Sequence, residues 1–299
     1  MRVVLTGSSG FIGSHLHDWL TSQQDEVIRL VRDKNAVVEG RTAYWNPAEA
    51  VVPTDVLEGA DAVVHLGGEN IADGPWNEEK KKRIRDSRVV STRVLSEALA
   101  GLSTPPKVFI SAGATGFYGN RGDERVDEDA APGQGFLAEV CQAWEAATQP
   151  AKEQGIRVIN LRIGMVISPD GGALKKLMPL FRWGLGGVLG PGTQYMSWIV
   201  LADLLRIVTW CIEKETLSGP VNAVTPWPVT NREFTKYLAK TLHRPAWFRV
   251  PAFVLRRTLG EMADEMLLSS TRVFPKRLIE TRFTWLFPEL FPALRYLTR

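Results

Sequence analysis

Cysteine is scarce in this chain of 299 residues: Cys141 and Cys211 are the only two. That excludes a disulfide framework and a thiolate-built zinc site, and it points to a reducing, cytoplasmic setting. Histidine is scarce too, and His15, His17, His65 and His243 fall at no spacing that a metal would need, so no metal is expected. Neither sign of charge dominates, since 36 basic and 33 acidic side chains leave a net +3. That balance argues against a nucleic-acid partner. The densest basic run, residues 80–85, is flanked by Glu78, Glu79 and Asp86, a pattern read first as a solvated helix face. No apolar run is long enough to cross a bilayer, and MRVVLTG leads into a strand pattern rather than a signal peptide, so no membrane partner is expected. Internal repeats and low-complexity linkers are missing as well.

What the chain does have is glycine in an informative place. Gly7, Gly10 and Gly13 lie in VVLTGSSGFIGSHL, directly behind the first hydrophobic run. A strand over residues 3–5 ends in a turn, and Ile12, Leu16, Trp19 and Leu20 follow at helical spacing. Glycine permits positive φ and lets a pyrophosphate approach without a Cβ in the way. The free N–H groups of the next helical turn then face the anion. The spacing is GxxGxxG with no Gly-Lys-Ser/Thr after it, which argues against a P-loop.

Further strands are predicted over 26–31, 61–65, 108–111 and 157–161, with a long helix over 83–99. Strands alternating with helices imply an α/β, Rossmann-type, doubly wound parallel sheet whose ligands sit at the strands' C-terminal ends. From about Ser168 the texture changes. GLGGVLGPGTQYMSW reads as a glycine-rich loop, followed by helices over 201–212, 231–242 and 254–268. The division expected is a nucleotide-binding domain over 1–167 and a smaller substrate-binding lobe over 168–299, with sheet strands open to sharing. Ten tryptophans, several near glycine-rich loops, suit a large and partly apolar pocket.

Four segments together resemble the extended short-chain dehydrogenase/reductase superfamily: TGSSGFIG, DAVVHLGG, FISAGATGFYG and NLRIGMV. Three more, LGGENIADGPWNEEKKKRIRDSR, FLAEVCQAWEAA and LGEMADEMLLSSTRVFP, are similar to recurring blocks of one subgroup, the epimerase family proteins named for nucleotide-sugar epimerases. The likeness runs over nearly the whole chain, including that subgroup's short C-terminal domain.

The resemblance implies a dinucleotide cofactor, with Gly7, Ser9, Gly10, Phe11, Ile12 and Gly13 cradling its pyrophosphate. Where an NAD enzyme offers an acid to the ribose this chain has Val31, followed by Arg32. A guanidinium suits the 2′-phosphate of NADP(H), although a plain surface arginine also fits. Leu66, Gly67 and Gly68 would lie beneath adenine and ribose, or simply form a turn. Glu69, Asn70 and Arg88 belong to the subgroup's ENI…SR pattern, beside the cofactor or in capping and helix-surface roles. The superfamily's Tyr and Lys, four apart on one helix face, pair a phenol acid with an ammonium. Here the corresponding residues are Leu137 and Cys141, or Phe136 and Val140 with a shift of one, so the pair is absent either way; Cys141 is counted with the cofactor contacts.

Ser111 and Tyr118 are the catalytic candidates, with packing the competing role for Tyr118. Thr115 is a further hydroxyl near the usual serine position, which falls on Gly113 or Ala114. Tyr195 and Trp198 would wall the pocket opposite the nicotinamide, or glue the lobes together. Asp203 would cap a helix. Arg162 would line the cleft or form an ion pair. The expected activity is epimerisation or reduction of a small molecule, a nucleotide sugar among the candidates. The rival is a non-catalytic NADPH-sensing regulator with a protein partner, linked to cell division because similar proteins have been named in connection with division inhibition.

Overall fold

The computed structural model describes residues 1–298. Seven strands form one parallel sheet: β1 (Arg2–Thr6), β2 (Glu26–Val31), β3 (Thr42–Tyr44), β4 (Ala62–His65), β5 (Val108–Ala114), β6 (Arg157–Ile163) and β7 (Gly219–Ala223). Their spatial order is β3-β2-β1-β4-β5-β6-β7. The order reverses between β1 and β4, which opens a crevice at their C-terminal ends. Side-chain alternation along each strand builds two cores. Val3, Leu5, Val64, Ile110 and Leu161 face α1 (Phe11–Ser22) and α5 (Leu201–Glu213). Val4, Val63, Phe109 and Val158 face α2 (Glu78–Ala100) through Leu95 and Leu99. The helix α2 starts earlier than its apolar pattern suggests, because the Asn77 side chain caps the Lys80 amide at 2.8 Å.

The second lobe has its own core. Around the fully buried Trp198 pack α4 (Gly172–Arg182), α6 (Asn231–Thr241) and the last helix, Leu290–Leu297. The stretch expected to be loop is ordered into short strands. Gly187–Leu189 pairs in parallel with Phe248–Val250, Tyr195–Met196 antiparallel with Val229–Thr230, and Trp198–Val200 in parallel with Met165–Ile167. Strands of two or three residues leave no periodicity to read. The helix expected over 254–268 breaks into α7 (Ala252–Leu259) and a π-helical segment, Ala263–Leu268. Gly260, at φ +60°, makes the break.

Beyond residue 168 the chain does not stay in one lobe. It leaves to build the second core, then returns to the sheet with α5 and β7. Two buried carboxylates fasten the tail to that body. Glu128 accepts from the Asn222 and Lys276 amides, both at 3.0 Å. Asp203, expected as a helix cap, accepts from the Leu286 and Phe287 amides at 2.8 and 2.9 Å. It is a clasp on a distant segment rather than a cap, and Val200 holds the N-cap position of α5.

Candidate functional site

The crevice is lined first by the β1–α1 turn. Gly7 has φ +70°, and a Cβ there would lie 2.7 Å from the Leu66 carbonyl carbon. At Gly13 a Cβ would lie 2.2 Å from the Gly7 oxygen. No residue but glycine fits either point without displacing backbone. Gly10 donates its amide to the Gly7 oxygen at 3.0 Å and accepts from Ser14 at 2.9 Å, so the helix begins there. No side chain caps that start. The first-turn amides of Phe11, Ile12 and Gly13 are thus available to an anion, at the positive end of the helix dipole. Ser9 and Gly10 are exposed, and Gly13 is buried. The missing Cβ atoms and the uncapped amides fit a dinucleotide's pyrophosphate.

The β4 edge completes this side. His65 is buried, with Nδ1 2.6 Å from Thr6 Oγ1 and Nε2 3.1 Å from Ser91 Oγ. Burial pushes its ring down to about 4, so the imidazole is neutral at pH 7. Leu66 and Gly67 follow, half-buried, and Gly68 is exposed. A side chain at Gly68 would press on the Arg88 guanidinium, 3.2 Å away. Arg88 spans from α2 to the Glu69 carbonyl at 3.0 Å and lies over the Trp144 ring. The Glu69 carboxylate takes the buried Lys80 ammonium at 2.7 Å, and that ammonium holds the carboxyl below its usual range. Asn70 forms a local turn with Ala72 and Asp73. Arg32 is exposed just beyond β2 and has no ion pair among the described residues.

The other side of the crevice is built differently. Ser111 is buried in β5, its hydroxyl 3.4 Å from the Ala112 oxygen. Tyr118 is fully buried. Its hydroxyl donates to Asn222 Oδ1 and accepts from Arg162 Nη1, both at 2.8 Å. Arg162 in turn forks onto Glu145 at 2.7 and 2.9 Å and lies 3.5 Å over the Phe117 ring. Of the two roles open to Arg162, the geometry gives the ion pair. Burial pushes the Tyr118 phenol up to about 12. Cys141, on α3 (Phe136–Ala146), is buried as well, and its thiol is also pushed up to about 12. Both stay protonated at neutral pH.

Trp198 is a core residue of the second lobe, its indole donating to the Trp227 oxygen at 3.0 Å. This corrects its expected place on the pocket wall, because its large apolar face fills that lobe's core. Tyr195 is half-buried under the Arg272 guanidinium, 4.8 Å away. Trp76 meets Phe136 edge-on at 5.3 Å. One polar group at this edge was missed from sequence. Glu265, on the π-helical segment, accepts the Leu137 amide at 3.2 Å, at the start of the helix where the superfamily keeps its tyrosine. An acid inside an amphipathic pattern gives no signal of that destination.

The comparisons with known proteins agree with this architecture. The family model for the NAD dependent epimerase/dehydratase family matches residues 3–223, and a domain of unknown function (DUF1731) matches 250–297. The chain is 43% identical over 296 residues to the epimerase family protein ML0860 of Mycobacterium leprae, covering 99% of this chain and 95% of that one. A crystal structure of human epimerase family protein SDR39U1 with NADPH is 32% identical, superposes with a TM-score of 0.91, and covers 99% of both chains. A nucleoside-diphosphate sugar epimerase structure from Corynebacterium glutamicum is 38% identical with a TM-score of 0.81, over 99% of this chain and 57% of that one. An uncapped glycine turn at the switch point of a seven-stranded parallel sheet, continued into a matching C-terminal segment, places this chain in the NAD dependent epimerase/dehydratase family, among the epimerase family proteins.

Proposed function

We propose that the chain binds NADP(H) along the β1–α1 turn and serves epimerisation or reduction of a small polar substrate. The observation that carries this reading is the turn itself, where Gly7 and Gly13 leave no Cβ and α1 begins uncapped. Arg32 selects the phosphorylated form: its guanidinium stands free at the end of β2, where the ribose 2′-position lies in doubly wound folds. Gly67 and Gly68 underlie the adenosine half, and Glu69, Lys80 and Arg88 fix the loop that follows β4. Cys141, neutral and buried, contributes shape beside the nicotinamide end rather than charge. When bound, the dinucleotide supplies or accepts a hydride. The human relative was crystallised with NADPH, and the Corynebacterium relative is named for nucleoside-diphosphate sugars, which makes a sugar nucleotide the substrate class to try first.

Titrating NADPH and NADH by calorimetry tests the assignment. A charge-assisted contact contributes about 1.5–3 kcal/mol, so NADPH should bind roughly 10- to 100-fold tighter than NADH. Arg32→Ala should erase that difference. Equal affinities in the unmodified protein would refute it.

A second reading follows from the locked proton side. With Leu137 and Cys141 in the acid and ammonium positions and Tyr118 engaged by Asn222 and Arg162, the chain suits an NADPH-sensing regulator with a protein partner. Adding candidate sugar nucleotides and carbonyl compounds to the NADPH complex separates the two, because a sensor leaves the cofactor's absorbance unchanged.

A further inference from the structure

The second lobe exposes a surface that the cofactor crevice does not use. Trp183 (83% exposed), Trp247 (89%) and Phe253 (70%) stand in water, with Leu185 and Phe248 beside them. Their segments are neighbours: Gly187–Leu189 pairs in parallel with Phe248–Val250, a Cβ at Gly184 would lie 3.8 Å from Pro245, and Phe253 follows three residues after the paired strand. Single exposed apolar residues are ordinary, but a cluster with two tryptophans marks an interaction site.

Next to the patch runs a groove of about 360 Å³ whose walls include Arg232, Lys236, Lys240 and Arg244. The first three recur every four residues along α6 and therefore share a face. Arg244 donates Nε to the Arg182 carbonyl at 3.0 Å, which joins the groove to the residue preceding Trp183. Segments 175–190 and 232–258 hold three and seven Lys/Arg respectively, against one acid, Glu233. That carboxylate is turned to the start of its own helix, where Thr230 donates both its amide and its hydroxyl at 2.8 Å. Four of these bases line the groove, while Lys176 and Arg256 are paired away from it with Asp73 and Asp264.

We propose that this face docks on bilayers rich in anionic phospholipid. Trp183, Trp247 and Phe253 enter the headgroup layer, and Lys236, Lys240 and Arg244 meet the lipid phosphates. Amphipathic aromatic rings favour that layer, and clustered bases are drawn to its negative potential. A second copy of this chain is disfavoured as occupant, because an isologous pairing would set two basic faces against each other. No described helix is long and apolar enough to cross a membrane, so the attachment is peripheral. The sequence hid it because residues 183–185 and 247–253 meet only in the fold, which leaves no long apolar run to find.

The full-length protein should co-sediment with phosphatidylcholine vesicles that contain phosphatidylglycerol and not with phosphatidylcholine alone, and added salt should weaken the binding. Tryptophan emission should shift to the blue on binding. The double variant Trp183→Ser/Trp247→Ser should lose at least about tenfold in vesicle affinity. Lys236→Gln and Lys240→Gln should each lose roughly fivefold. NADPH affinity should be unchanged in all of these variants, which shows that they fold. Absence of binding to the anionic vesicles would overturn the proposal, as would binding that survives the double variant. Two other results would also overturn it: equal capture of a single-stranded oligonucleotide, or a vesicle-free dimer that the tryptophan variants dissociate.

Discussion

The two sides of the crevice have been built to opposite ends. On the β1–β4 side, backbone is left open: Gly7, Gly10 and Gly13 carry no side chains and α1 has no cap. On the β5–α3 side, the polar groups around Tyr118 are tied to one another. Tyr118, Arg162, Glu145 and Asn222 form one buried chain of hydrogen bonds from α3 through β6 to β7. Leu137 is half-buried and Cys141 buried on α3, and neither offers a proton at neutral pH. An open backbone and a locked side-chain network thus meet across one crevice.

The sharpest way to break that contrast is to look for fast reduction. A positioned acid contributes about 10²- to 10⁴-fold to such a step. NADPH oxidation with simple ketones or aldehydes should accordingly be slower by that factor than in relatives with the Tyr/Lys pair, as read from the cofactor's absorbance. Rapid turnover would mean that another acid serves, and Glu265→Gln would then be the variant to make.

The open side rests on a neutral imidazole, and acid should expose it. Unfolded, His65 takes its proton near 6.5; folded, near 4. Below about pH 6.5 the unfolded chain binds the extra proton, so this contribution to stability is complete above that pH and is lost as pH falls towards 4. The loss approaches about 3 kcal/mol. Urea midpoints measured from pH 7.5 down to 5 should fall for the unmodified protein and fall less for His65→Gln.

Gly10→Val probes the same side with only a small disturbance of the turn. Gly10 is exposed at φ −78°, a conformation valine adopts, and its Cβ would lie 3.2 Å from the Gly7 oxygen, which must yield slightly, while its side chain would occupy the anion's approach. A loss of about 100-fold or more in NADPH affinity, with only a small fall in melting temperature, is expected; normal affinity would put the cofactor elsewhere. The smallest effect sharpens the closed side. Tyr118→Phe leaves Asn222 Oδ1 and Arg162 Nη1 without a partner in the interior and should cost about 1–3 kcal/mol of stability. NADPH affinity should not change, and a loss of turnover without a loss of stability would restore Tyr118 to catalysis.

How far the sequence could be read divides along the same line. The glycine turn and β2 are local statements: strand propensity, turn and helix start lie within a few residues, and β2 spans the expected 26–31. Strand β7 was not visible, because GPVNA opens with glycine and proline and shows no alternation. The roles of Arg162, Tyr118 and Asp203 were not legible from their neighbours, since each is decided by a partner far along the chain. Asn222 is 104 positions from Tyr118, and Leu286 is 83 from Asp203. Short strands in the second lobe are tertiary products, held by pairing rather than by propensity.

The Asp203 clasp also bears on the order in which this molecule can be made. A ribosome delivers the sheet's first six strands and α5 well before residues 286 and 287 exist. Until those two amides arrive, the Asp203 carboxylate has the Arg206 guanidinium, 2.9 Å away on its own helix, but lacks the two backbone donors that complete its shell in the interior, and a buried charge short of hydrogen bonds is costly. A chain cut short before residue 286 would keep the Arg206 pair but lose both amide donors, and should be less stable by about 1–3 kcal/mol. The tail acts as the seal that certifies a finished copy.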